Sequence, residues 1–160
     1  MDPAKDSKLR STIVKMLIGE NAHADIETVL SDVPIEKVGI LHGSLPYTIW
    51  QLMEHIRITQ WDIVEFSVNP NHVSPSWPEG LWPAHKKPFN QDEYDNSLNT
   101  ILRERDRMAQ LIMDTSNDLL QPFPHGTGQN LLREAILIID HNSHHLGQII
   151  VLKRLLGIHK

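Results

Sequence analysis

The chain contains no cysteine, which excludes disulfides, thiolate metal ligation and a cysteine nucleophile. Basic excess is also missing: fifteen Lys and Arg stand against twenty Asp and Glu, a net charge of −5 with histidine neutral. Without a basic stripe a nucleic-acid partner is not expected. No apolar run approaches the ~18 residues of a transmembrane helix. The opening Met1-Asp2-Pro3-Ala4-Lys5 has no signal-peptide core, so the expectation is a cytoplasmic protein without membrane contact. Alternating strand patterns are absent as well. What the chain has in abundance is histidine, ten in 160 residues. Length and a 40% hydrophobic content predict one folded domain spanning residues 1–160.

Helical periodicity runs through four segments. The first spans about Asp6 to Ser31, with Leu9, Ile13, Met16, Leu17 and Leu30 as its stripe. The second covers 44–69, with Ser44 as N-cap, Pro46 in the first turn and Pro70 as the stop. The third runs from near Asn90 to Asn117, with Asp92 and Glu93 at its positive end, and the fourth from 129 to Gly157. Four such helices predict an all-α four-helix bundle. Residues 70–89 hold five of the ten prolines together with Trp77 and Trp82. Extended, twenty residues reach roughly 65 Å. The second and third helices are therefore expected to be joined by a long crossover loop.

On the last helix, His141 and His145 lie one turn apart, about 40° from each other on the wheel, within the apolar stripe of Leu137, Ile138 and Leu152. His144 falls at the edge of that face. His55 sits at the middle of the second helix among Thr48, Gln51, Leu52, Thr59, Asp62 and Phe66, level with the middle of the last helix whichever way the two run. Two readings follow. The three rings are hydrogen-bonded core histidines, or they converge on one metal ion with positions left open for water or substrate. Unpartnered ring nitrogens cost about 1–3 kcal/mol each, which weighs toward the ion. A ferritin-like di-iron site is disfavoured, because only one Glu-x-x-His is present, Glu20 to His23. His23 lies on the first helix's apolar stripe, as a packed core residue or a cavity lining. His42, His72, His85, His125 and His159 are expected in solvated loops or at the terminus, with His85 and His125 at most bordering a cavity mouth. Asp62 is a candidate base or acceptor for an imidazole N–H, or an exposed edge residue. Gln148 is a candidate for orienting water or ligand, or a capping and packing residue. The Trp77/Trp82 loop either covers the cavity or only anchors on the bundle.

The stretch Asp140-His-Asn-Ser-His-His-Leu-Gly-Gln148, followed by Lys153-Arg-Leu-Leu-Gly157, resembles the closing helix of the DinB/YfiT-like superfamily and its His-x-x-x-His-x-Gly-Gln signature. Trp50 to Phe66 is similar to that family's second helix, which supplies a first histidine, and the Trp77-Pro and Trp82-Pro loop resembles one DinB-like subgroup. The likeness covers about Ala22 to Gly157. It implies a four-helix bundle, a frequent homodimer, and a divalent ion held by His55, His141 and His145: zinc or nickel, with manganese and iron as further candidates. His144 stands where the nearest relatives carry an aromatic residue, and the i,i+4 spacing favours His145. Characterised relatives include transferases that use low-molecular-weight thiols and a maleylpyruvate isomerase.

The expected function is therefore that of a metal-dependent transferase taking a small-molecule thiol as cosubstrate, since the chain supplies no thiol itself. A metal-dependent hydrolase and a non-enzymatic metal-binding stress or carrier protein are the alternatives. A homodimer is expected through Leu132, Ile136, Ile139, Leu146 and Ile150 on the back of the last helix, with Trp50 and Trp61 as contributors, because these aliphatics together form a patch of interface size.

Overall fold

A computed structural model describes residues 2–20 and 22–158; His159, expected at a solvated terminus, lies outside the described residues. Among those described there is no strand, and five α-helices form, four of them long. α1 spans Pro3–Ile18, with Asp2 as its cap and Pro3 at the first position, where a missing N–H costs nothing. The uninterrupted helix expected from Asp6 to Ser31 is not observed. Gly19 takes φ +110° and its N–H closes on the Lys15 carbonyl. A β-carbon there would strike Asp25, so only glycine fits this cap. The chain turns, and Asp25 caps the short α2 (Ile26–Leu30) by accepting from the Thr28 N–H.

α3 (Ile49–Val68) starts later than expected. Its N-cap is Thr48, not Ser44, in a reciprocal box with Gln51 that satisfies two backbone donors at once. α4 (Gln91–Met113) is capped by Asn90 and ends before Asn117. α5 (Leu131–Leu155) is capped by Asn130. Ser97 Oγ donates to Glu54, Gln60 Nε2 to the Ile101 carbonyl, and Arg107 to Glu65. Because these partner numbers rise together, α3 and α4 run parallel, and residues 69–90 carry the chain back along α3. Tyr47 meets Gln148 and Gln60 meets Asn142, so α5 runs antiparallel to α3. α1 packs on α4 and α5. No helix among the described residues is long and apolar enough to cross a membrane.

The core is divided. One cluster gathers Leu52, Met53, Ile56, Tyr94 and Ile101 with Leu146, Ile149 and Leu152. The other gathers Ile13, Ile63, Val64, Met108 and Ile112 with Ala135 and Ile138. Between Ile56 and Ile63 on α3, and between Ile138 and Leu146 on α5, the inward positions are polar. Trp50, expected at a dimer interface, is buried and packs near Tyr94 within its own chain. Leu146 is likewise in the core, and Leu132, Ile139 and Ile150 are partly covered, whereas Ile136 is 52% exposed.

Candidate metal centre

His55 projects from the second turn of α3, and His141 and His145 from successive turns of α5, so that the three rings converge. One ring nitrogen of each lies within 4.8 Å of the others. The Nε2 atoms of His55 and His141 are 3.1 Å apart. Tetrahedral coordination at about 2.0–2.1 Å sets ligand nitrogens about 3.3 Å apart, so the His55–His141 pair already stands close to that separation, and the third nitrogen, within 4.8 Å of both, would have to draw in to complete the set.

Each outer nitrogen has its own environment. His55 Nδ1 is 2.8 Å from the Leu81 carbonyl, which directs its Nε2 inward. His145 Nδ1 is 2.7 Å from Gln148 Oε1, and Gln148 Nε2 donates at 3.0 Å to the Tyr47 hydroxyl. His141 Nδ1 is buried with no hydrogen-bond partner, as is Thr59 Oγ1 one turn beyond His55. Burial lowers the pKa of His55 and of His145. Burial, reinforced by the neighbouring His145 and His55, drives His141 down to about 4. Three imidazoles neutral at pH 7 are the form that ligates a metal. The residues fit the group.

The loop that follows α3 is part of this site. Its 3₁₀ turn Glu79–Leu81 supplies the carbonyl for His55. Trp82 stacks flat on the His55 ring, with centroids 4.1 Å apart, and Tyr47 stacks on Trp82 in turn. Trp77 is instead 82% exposed. His144 is exposed beside His145, ring centroids 4.9 Å apart, and is not among the three clustered residues.

Other expected residues fall elsewhere. His23 is not a core residue: with the helix broken at Gly19 it sits exposed in the bend, its Nε2 3.1 Å from Ser143 Oγ, and lines a small cavity with Gln60 and Asn142. Asp62 meets the imidazole of loop residue His72 at 2.6 Å, while the triad's Nδ1 partners are Leu81 and Gln148. His72 is accordingly not solvated; its side chain is 7% exposed. His125 is half-buried against Phe123 and bonded to the Phe66 carbonyl, His85 is exposed against Phe89, and His42 is half-buried. Sequence reasoning missed the Leu81 carbonyl and Tyr47. A backbone acceptor carries no residue signature, and Tyr47, expected within a helix over 44–69, instead lies in non-helical chain just before α3, where the expected helical angle does not apply.

An all-helical chain that brings one histidine from a central helix against an i,i+4 pair from the last one defines a class of helical protein with a three-imidazole centre. The chain belongs to the DinB superfamily, whose family model matches residues 19–149, and DinB-like proteins are metal-binding. No curated protein and no solved structure matches it.

Proposed function

We propose that this protein is a metal-dependent transferase that takes a low-molecular-weight thiol as cosubstrate, with His55, His141 and His145 holding one divalent cation, zinc or nickel in first place. The observation that carries the reading is the convergence of three neutral imidazoles with no fourth His, Cys, Asp or Glu joining them among the described residues. Structural zinc sites are closed by four protein ligands, and catalytic ones keep a position open. A bound cation would supply Lewis acidity, lowering the pKa of a water or thiol and polarising a carbonyl. The chain's residues do the rest. Leu81 and Gln148 orient two of the rings, Trp82 shields His55 from solvent, and the absence of cysteine leaves the sulfur nucleophile to the cosubstrate. Asp62, bonded to His72 on the same face of α3 as His55, is the candidate base within this reading.

In the same proposal the four long helices form a four-helix bundle with residues 69–90 as its crossover. The protein is cytoplasmic, binds no nucleic acid or membrane, and pairs into a homodimer through the outer face of α5. Metal analysis of dialysed protein tests the ligands. About one ion per chain is expected in wild type and in His144→Ala, and loss of it in His55→Ala, His141→Ala and His145→Ala. A His144→Ala variant that loses the ion while His145→Ala keeps it overturns the assignment. On metal-loaded protein, bacillithiol, mycothiol or glutathione is expected to raise the melting temperature progressively with concentration, as linkage requires. No stabilisation by any of them sinks the thiol part of the proposal.

A further inference from the structure

The hydrogen bonds around His145 form a chain of fixed polarity. A primary amide offers a donor at one end and an acceptor at the other. With Gln148 Nε2 donating to the Tyr47 hydroxyl at 3.0 Å, Oε1 is the atom left facing His145 Nδ1 at 2.7 Å. The imidazole must then carry its hydrogen on Nδ1. The opposite polarity, with the Tyr47 O–H donating to Oε1 and Nε2 donating to the ring, would place the hydrogen on Nε2 and aim it at His55 and His141. Neutral imidazole in water prefers that second tautomer, so something must hold the first.

We propose that Gln148, braced by Tyr47, is a positioning residue for His145, fixing the tautomer whose Nε2 lone pair faces the other two histidines. The inference rests on the three-histidine reading and names what makes one of its ligands competent. His145 is 9% exposed, so water has little access to replace the amide. Gln148 stands three residues after His145 on α5. Tyr47 stands beside Thr48, the cap of α3, so the two helices together set the position of the amide. The Leu81 carbonyl does the same for His55, but as backbone it lies beyond the reach of substitution. An acceptor on the outer nitrogen also raises the basicity of the inner one.

Two measurements test this. Long-range nitrogen–proton correlation spectra of the metal-free protein should show His145 protonated on Nδ1 in wild type, and shifted toward Nε2 protonation in Gln148→Leu. Zinc affinity, measured by competition with a chromophoric chelator, should fall roughly 10–100-fold in Gln148→Leu and by less in Tyr47→Phe. Gln148→Glu should bind as tightly as wild type or tighter, because a carboxylate accepts the Nδ1–H more strongly and can take its second bond from the Tyr47 O–H. A purely structural role for Gln148 would not separate the Leu and Glu variants, and equal loss in both overturns the inference. So does an Nε2-protonated His145 in the wild type. Failure of wild-type protein to bind zinc overturns the metal reading, while the tautomer of the metal-free protein still decides whether Gln148 orients His145.

Discussion

Acid should destabilise the metal-free protein through His141, and the window can be worked out. Burial, with His145 and His55 adding to it, holds His141 at about 4, against an ordinary value of about 6.5. Between those two values the unfolded chain binds a proton that the folded chain refuses. Stability therefore rises with pH across the window: it is fully present above about 6.5 and is lost as the pH falls toward about 4. At about 1.36 kcal/mol per pH unit the full drop corresponds to about 3 kcal/mol. Solvent reaching the half-buried ring reduces this to about 2 kcal/mol. His55 and His145, both lowered by burial, act in the same direction.

The assay is urea unfolding of chelator-treated protein from about pH 7.5 to about pH 4.5, comparing wild type with His141→Asn. The variant has no ring to protonate, so the gap between the two stabilities should narrow by about 2 kcal/mol over that range. Carboxylates titrate in both proteins and cancel in the difference. Curves that stay parallel to within about 0.5 kcal/mol would mean that His141 accepts a proton in the folded state as readily as in the unfolded one. Its burial would then not govern its charge, and the account of a neutral triad at pH 7 would fail.

Arg10, 4% exposed on α1, donates to the carbonyls of Ile112, Asp114 and Asn117, closing the end of α4, which has no basic residue in its own last turn. Arg10→Met keeps the stem but strands these acceptors, and should cost about 3 kcal/mol, roughly 10 °C in melting temperature, without changing metal stoichiometry; a loss below about 1 kcal/mol refutes the capping role. Ile136 and Val151 on α5 are 52% and 51% exposed, and Ile136→Glu should shift a homodimer toward monomer by light scattering. Wild-type protein at its 18.3 kDa monomer mass across micromolar concentrations removes the dimer.

The three histidines were legible because helical geometry fixes angles. Residues four apart share a face whatever else the chain does, and His55 needed only a matching height on a second long helix. The break at Gly19 was not legible in the same way. Met16 and Leu17 before it and Leu30 after it continue one helical stripe, and a single glycine inside such a stripe is compatible with an unbroken helix. What ends α1 is the close approach of Asp25, a contact made only after the chain has turned. His23 was misplaced for that reason alone. The start of α3 was a different kind of miss. Thr48-x-x-Gln51 is a capping box written in the sequence, but Ser44 and Pro46 offered a second start signal a turn earlier, and no local rule ranks the two. Folded, Thr48 also donates its hydroxyl to the Lys86 carbonyl, a contact from the distant loop.

The division of the core explains why the site is where it is. Long helices can pack apolar layers end to end, yet this chain sets His55, Gln60, His141, Asn142 and His145 among them on neighbouring turns of α3 and α5. Burying such a layer costs unless each group is satisfied. Gln60 meets that demand by accepting from Asn142 and donating to the Ile101 carbonyl; Asn142, His55 and His145 meet half of it, the last two through Leu81 and Gln148. His141 Nδ1 and Asn142 Oδ1 remain unpartnered, each a cost of about 1–3 kcal/mol. A packed aliphatic layer at this height would make a more stable helical protein. The polar layer is costly by itself, and a cation on the inward nitrogens, as proposed, would offset part of that cost.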